Sequence, residues 1–410
     1  MGGLDEIVSG FRKSKVWVFI GKIIRLLEDV SKESNARQIP SRQVKSLTPK
    51  GVSRGSVLFS YIIDGFLLRP GEPIPNAHTN FWQSIKMAET FVELGYDVDV
   101  IDWKNNSFVP QKPYSFFVDV RRNLERLAPL LNRDCVKIMH LDTASILFQN
   151  AAEANRLLEL QRRRGVTLRP RRFEKPNRGI ENADFATAMG NEFTLDTFKY
   201  AQKKIFQLPS PCAILLDWIK RDWAECRKQF FWFSSGGLVH KGLDLALEAF
   251  QKLPDCHLTV CAPVDREPDF VGAYYKELYE TPNISTIGFV DIESQRFRDM
   301  IKMCGAMLNL SCSEGGGASV KTCMHAGLIP VVSRESAVDV HDFGFMLQDC
   351  SADNVIKTVR EISDCPTGDL EEKSRKAWEF ARRHFTRENF AQEYFRVISE
   401  IIQGERITDV

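Results

Sequence analysis

Short apolar runs alternate with stretches in which apolar residues recur at helical spacing, and the alternation covers most of the chain. In the first half, residues 56–62, 98–103, 116–120 and 136–139 read as buried strands, and 182–188 as a shorter one. Thr79 or Asn80 suits the N-cap of a helix running to about residue 94, where Gly95 stops it, and residues 194–204 also have a helical pattern. In the second half, residues 230–233, 257–261, 284–289, 306–310 and 328–332 read as strands. Residues 243–253, 270–279, 297–302 and 319–326 read as the helices between them, and 352–402 as helical with Thr386 as an N-cap. Strand–helix alternation predicts an α/β fold with parallel sheets covered on both faces, because each crossover lays a helix against the sheet.

A chain of 410 residues exceeds one ordinary core. The expected division is a basic extension and polar linker over 1–54, α/β domains over 55–215 and 216–385, and a final helix over 386–410. Hydrophobic content of 43% and charged content of 27% describe a globular chain, and a net charge of +1 supplies no general attraction to nucleic acid. Ten cysteines without a C-x-x-C pair argue for free thiols in a reducing, cytoplasmic setting rather than a disulfide framework or zinc site. No apolar run reaches transmembrane length, and no signal peptide is evident.

The charge is unevenly placed. Residues 1–54 carry eleven Lys/Arg against five Asp/Glu, and residues 11–27 are apolar, aromatic and basic without an acid. Such a segment either lies in an anionic membrane surface, making the protein peripheral on the inner face of the plasma membrane, or docks on its own domain. Residues 156–178 carry nine Lys/Arg against two Glu. That run is either a solvated helix end and loop or a site for an anionic acceptor or lipid head groups. It lacks the aromatic interleaving of single-strand binding.

The chemistry concentrates at three strand ends, where open parallel sheets bind ligands. After the strand at 306–310 come Glu314 and three glycines, Gly315, Gly316 and Gly317, then a helix start at Ala318 and Ser319. Glycines admit close backbone approach, and the helix start offers free N–H groups to a phosphate. After the strand at 230–233 come Gly236, Gly237 and Lys241, again suited to phosphate. His140 and Asp142 follow the strand at 136–139 and form a candidate titratable pair. Asp97 and Asp99 sit at the entry of a strand, where two carboxylates on a solvated face are commoner than a metal site.

These residues resemble the retaining glycosyltransferases of the GT-B fold, in the family 4-like group. The pattern is carried by Gly236, Gly237, Lys241 and Gly242, then by Ser311, Glu314, Gly315, Gly316, Gly317, Gly327, Pro330 and Val331. It covers roughly residues 228–400; the first half matches more loosely, through Gly95, Tyr96, Asp97, Val98 and His140. Two positions depart from the pattern: Thr322 stands where a second glutamate is usual, and Gly236 or Gly237 where an arginine is usual. The resemblance implies two Rossmann-like domains facing a cleft, with the last helix crossing back to the first. It implies transfer of a sugar from a nucleotide-diphosphate donor to a saccharide or lipid-linked acceptor, without metal or cofactor, as in surface polysaccharide or glycolipid synthesis. Glu314 and His140, or Asp142, would face the sugar. Lys241, the glycine loops, Ala318, Ser319 and Thr322 would hold the nucleotide. A nucleotide-sugar epimerase of the same fold and a catalytically silent scaffold are the alternatives.

Overall fold

The computed structural model describes residues 43–76 and 79–408, with side chains through residue 404. The basic segment at 11–27 lies outside these residues. The first sheet has the order β1-β3-β2-β4-β5-β6-β7, comprising β1 (Val44–Leu47), β2 (Ser56–Tyr61), β3 (Asp97–Asp102), β4 (Phe116–Asp119), β5 (Val136–Leu141), β6 (Phe185–Ala188) and β7 (Lys204–Gln207). All its pairings are parallel except β1 with β3. The second sheet is wholly parallel with the order β10-β9-β8-β11-β12-β13. It comprises β8 (Gln229–Phe233), β9 (His257–Cys261), β10 (Ile284–Thr286), β11 (Ala306–Asn309), β12 (Ile329–Val332) and β13 (Phe345–Met346).

Two local expectations are corrected. Residues 44–47, read as linker, form the antiparallel edge strand β1. Asp99 ties that edge together, accepting hydrogen bonds from Ser46 Oγ (2.7 Å) and Tyr114 Oη (2.8 Å) and pairing with Lys112 (2.8 Å). Residues 194–204 are not one helix: Glu192–Asp196 and a 3-10 turn at Lys199–Ala201 lead into β7. Short strands at a sheet edge carry little apolar pattern, so both β1 and β7 are quiet in the sequence.

Each sheet is covered on both faces by apolar clusters. The final helix, Arg387–Thr408, packs Phe390, Tyr394, Val397 and Ile398 against Val57, Phe59 and Val98 of the first sheet, so the chain does cross back. Thr386 caps it, its hydroxyl accepting from the Asn389 N–H at 3.1 Å. A second crossing runs the other way. Helix Ile146–Arg164 starts beside the first sheet, yet Leu160, together with Leu168 beyond the helix, packs in the core of the second. Here the basic run finds its partners. Arg163 pairs with Asp244 (2.6 Å) and Glu248 (2.9 Å), Arg164 with Glu277, and Arg171 with Asp269, while the buried Arg156 donates to the Leu310 carbonyl at 2.7 Å. Neither expectation for the run describes these four arginines: they bind the second domain.

Candidate functional site

In the second sheet the chain leaves β8 toward β9 on one side and returns to β11 on the other. The loops after β8 and β11 therefore diverge at a switch point, which leaves a crevice at their carboxyl ends. The first domain closes it with the segments after β4, β5 and β6. The cleft holds about 210 Å³, with a wall of Asp142, Thr143, Arg121 and Arg172 opposite one of Ser234, Lys241, Glu314, Gly316, Gly317, Ala318, Ser319 and Thr322.

Glu314 accepts a hydrogen bond from Ser311 Oγ at 2.9 Å and is in direct contact with the Lys241 ammonium. Both side chains are about one-seventh exposed (13% for Lys241, 14% for Glu314), so the pair is largely screened from water by protein. Burial and then the charge of Arg172 push Lys241 toward its neutral form. The loop carrying Glu314 presses on the first domain: a β-carbon on Gly315 would lie 2.3 Å from Thr143 Cα. Gly315 is thus a close-approach residue, and it does not line the cleft. Helix Ala318–His325 starts at Gly317 without a side-chain cap among the described residues, an arrangement in which the first N–H groups suit an anionic ligand.

The first glycine loop differs from expectation. The carboxylate of Glu267 accepts from the N–H of Gly237 (2.6 Å) and from that of Leu238 (3.2 Å). The loop's anion-binding N–H groups are thus occupied by a side chain of the same domain, and neither Gly236 nor Gly237 lines the cleft. Arg172 lies over the loop instead: a β-carbon on Gly237 would sit 2.9 Å from Arg172 Cγ. Arg172 is anchored by its backbone, with its N–H on Glu153 (3.0 Å) and its carbonyl accepting from Gln149 (2.6 Å). Among the described residues its guanidinium makes no hydrogen bond or ion pair, and it lines the cleft. An arginine from the first domain thereby lies over the loop whose sequence lacks one.

His140 is corrected too. It is fully buried under the cleft floor, Nε2 lying 2.8 Å from Gln83 Nε2 and Nδ1 2.8 Å from Thr187 Oγ1. Burial pushes its pKa down to about 4. It does not line the cleft; Asp142 does. Asp142 is held by Arg121 at 2.9 Å, which in turn holds Glu174 at 2.9 Å. Burial works against the Arg121 charge, but these two carboxylates outweigh it and raise its pKa. Thr322 lines the cleft, although its hydroxyl already donates to the Ala318 carbonyl at 2.9 Å.

Arg121, Arg172 and Ser234, which line the cleft, were not singled out by sequence reasoning. Arg172 had a signal, the basic run, but nothing separated it from its neighbours until their ion pairs were seen.

Neither a family model nor a curated protein matches the chain. Solved structures match in fold. Sucrose-phosphate synthase from Thermosynechococcus elongatus superposes with a TM-score of 0.58 at 11% identity, over 86% of this chain and all of that one. HepE from Anabaena, in complex with UDP and glucose, gives 0.52 at 12% over 86% and 100%. WaaG, a glycosyltransferase involved in lipopolysaccharide biosynthesis, gives 0.53 at 12% over 84% and 99%. The fold is GT-B: two Rossmann-like domains, each doubly wound, with a cleft between them.

Proposed function

We propose that this chain is a glycosyltransferase that moves a sugar from a nucleotide-diphosphate donor, with retention of configuration, to a saccharide or lipid-linked acceptor. The observation that carries the reading is the cluster at the switch point: Lys241 on Glu314, Arg172 with its guanidinium free among the described residues, and an uncapped helix start, all on one cleft. As the donor bond breaks, negative charge grows on the departing diphosphate. Arg172, Lys241 and the N–H groups of Ala318 and Ser319 are preorganised to stabilise it where it develops. Glu314 accepts from donor-sugar hydroxyls, which releases Lys241 to the diphosphate: binding exchanges one ion pair for another. Asp142, paired with Arg121, faces the reacting carbon from the first domain, in the role that the sequence left between it and His140. Closure of the two walls excludes water and suppresses hydrolysis.

The match in fold to HepE with UDP and glucose, and to WaaG, supports a nucleotide-sugar donor. Surface polysaccharide or glycolipid synthesis is the setting in which residues 11–27 would hold the enzyme at an anionic membrane. The test is thermal stabilisation by a panel of nucleoside diphosphates, followed by transfer from the matching sugar donors. A ligand at 100 times its Kd raises stability by about 2.7 kcal/mol. Stabilisation by no nucleotide would leave the scaffold reading. Turnover of a donor sugar without any acceptor would leave the epimerase.

A further inference from the structure

A second cavity of about 400 Å³ opens next to the cleft on the first domain, and Arg121, Asp142 and Thr143 line both. The two differ in chemistry. The cleft sets hydroxyls, amides and charges, as sugar and phosphate require, beside a few apolar side chains such as Met189, Phe233 and Ile292. The second cavity has a floor of Met139, Leu141, Ile180 and Phe198, all buried and continuous with the core under the first sheet. At its mouth stand Leu147, 70% exposed, and Tyr200, 60% exposed. Two large exposed side chains at the rim of an apolar cavity mark a surface suited to cover by a ligand. The cavity belongs to the domain opposite the candidate nucleotide loops, and its shared wall carries Asp142. A group seated in it therefore lies against the same wall as the proposed reaction centre.

We propose that this cavity takes an apolar aglycone of the acceptor, an alkyl chain or aromatic ring attached directly to the sugar or alcohol whose hydroxyl reaches Asp142. The inference rests on the reading of the cleft as a glycosyl-transfer site, and it narrows the acceptor from any saccharide to an amphipathic glycoside. Each methylene moved from water into such a cavity contributes about 0.8 kcal/mol, a factor of about four in affinity.

The test uses the full-length chain and methyl, hexyl and phenyl glycosides of glucose, galactose and mannose, titrated calorimetrically with the nucleoside diphosphate saturating, then assayed as acceptors. Hexyl or phenyl glycosides should bind at least about 30-fold more tightly than the methyl glycoside of the same sugar. Leu147→Asn, a change at an exposed position, should remove most of that ratio. It should leave melting, nucleotide affinity and methyl-glycoside binding unchanged. Tyr200→Ser should act in the same direction. Nucleotide binding intact with no dependence on the aglycone, or a dependence that neither variant alters, overturns the inference while the transferase reading stands. Loss of the transferase reading shows separately, as absence of nucleotide binding in the parent.

Discussion

The contact between Lys241 and Glu314 allows a demanding test. Consider Lys241→Met, which keeps the stem and removes the charge, Glu314→Gln, which keeps the shape and the Ser311 bond, and the two combined. Truncating one partner of a fully buried ion pair costs about 3–5 kcal/mol. Both side chains retain some exposure (13% and 14%), so Lys241→Met should destabilise by about 2–3 kcal/mol. Glu314→Gln should cost less, because Lys241 is already pushed toward neutrality by burial and by Arg172 and sheds its proton when the carboxylate goes. The double variant should be more stable than the sum of the singles predicts, by at least about 1 kcal/mol. Function should separate the two residues. Lys241→Met loses a charged hydrogen bond to the diphosphate, about 1.5–3 kcal/mol, so nucleoside diphosphate affinity should fall about 10- to 150-fold while nucleoside affinity holds. Glu314→Gln frees its partner, which takes its proton back beside the diphosphate, so diphosphate affinity should stay near parental while transfer falls about 100-fold or more, the scale for one positioned electrostatic group. Melting curves, calorimetry and turnover on the same preparations read all three. Additive stabilities within about 0.5 kcal/mol, or parental diphosphate affinity in Lys241→Met, would refute the argument.

Arg172→Ala should weaken nucleoside diphosphates about tenfold or more against the bare nucleoside, with melting unchanged because its side chain holds nothing else among the described residues; calorimetry decides. Thr322→Val should leave nucleotide affinity within about twofold, since its hydroxyl already serves the Ala318 carbonyl. Burial depresses the folded pKa of His140 and His325 to about 4 and of His240 to about 3, so the unfolded chain takes up protons first. Stability should be full above about pH 6.5 and fall as pH drops toward 4, and His140→Gln should reduce that loss by about 3 kcal/mol in chemical denaturation at pH 4. Asp244 is held up to about 6 by burial, against which Arg156 and Arg163 work. Removing Arg163 leaves that carboxylate uncompensated when ionised, so Arg163→Ala should lower the Tm by several degrees at pH 8 and little at pH 5, where Asp244 is protonated in the folded state.

Much of the architecture was legible along the chain. The core strands bury both faces and so read as continuous apolar runs; their positions and the alternation with helices follow from that. Glu314, Lys241 and the helix start at Ala318 were legible for a related reason: glycines and polar residues directly after a core strand mark a loop on the ligand side of the sheet. Thr386 was legible because capping is local chemistry.

What the sequence left open are the quantities that depend on depth and on partners distant in the chain. His140 and Asp142 are equally titratable in the sequence. Only the packed structure puts one under the floor between Gln83 and Thr187 and the other on the wall with Arg121. Gly237 invited a phosphate until Glu267, thirty residues on in the chain, was seen on its N–H. Arg172 was one charge among nine in its run; what set it apart was that Arg163, Arg164 and Arg171 found carboxylates on the second domain and it did not. Local spacing determines which segments fold as strand or helix, because those hydrogen bonds and apolar faces close within a few residues. Which charge is satisfied and which is left facing the cleft is decided by long-range packing, since each partner is supplied by a different turn of the fold.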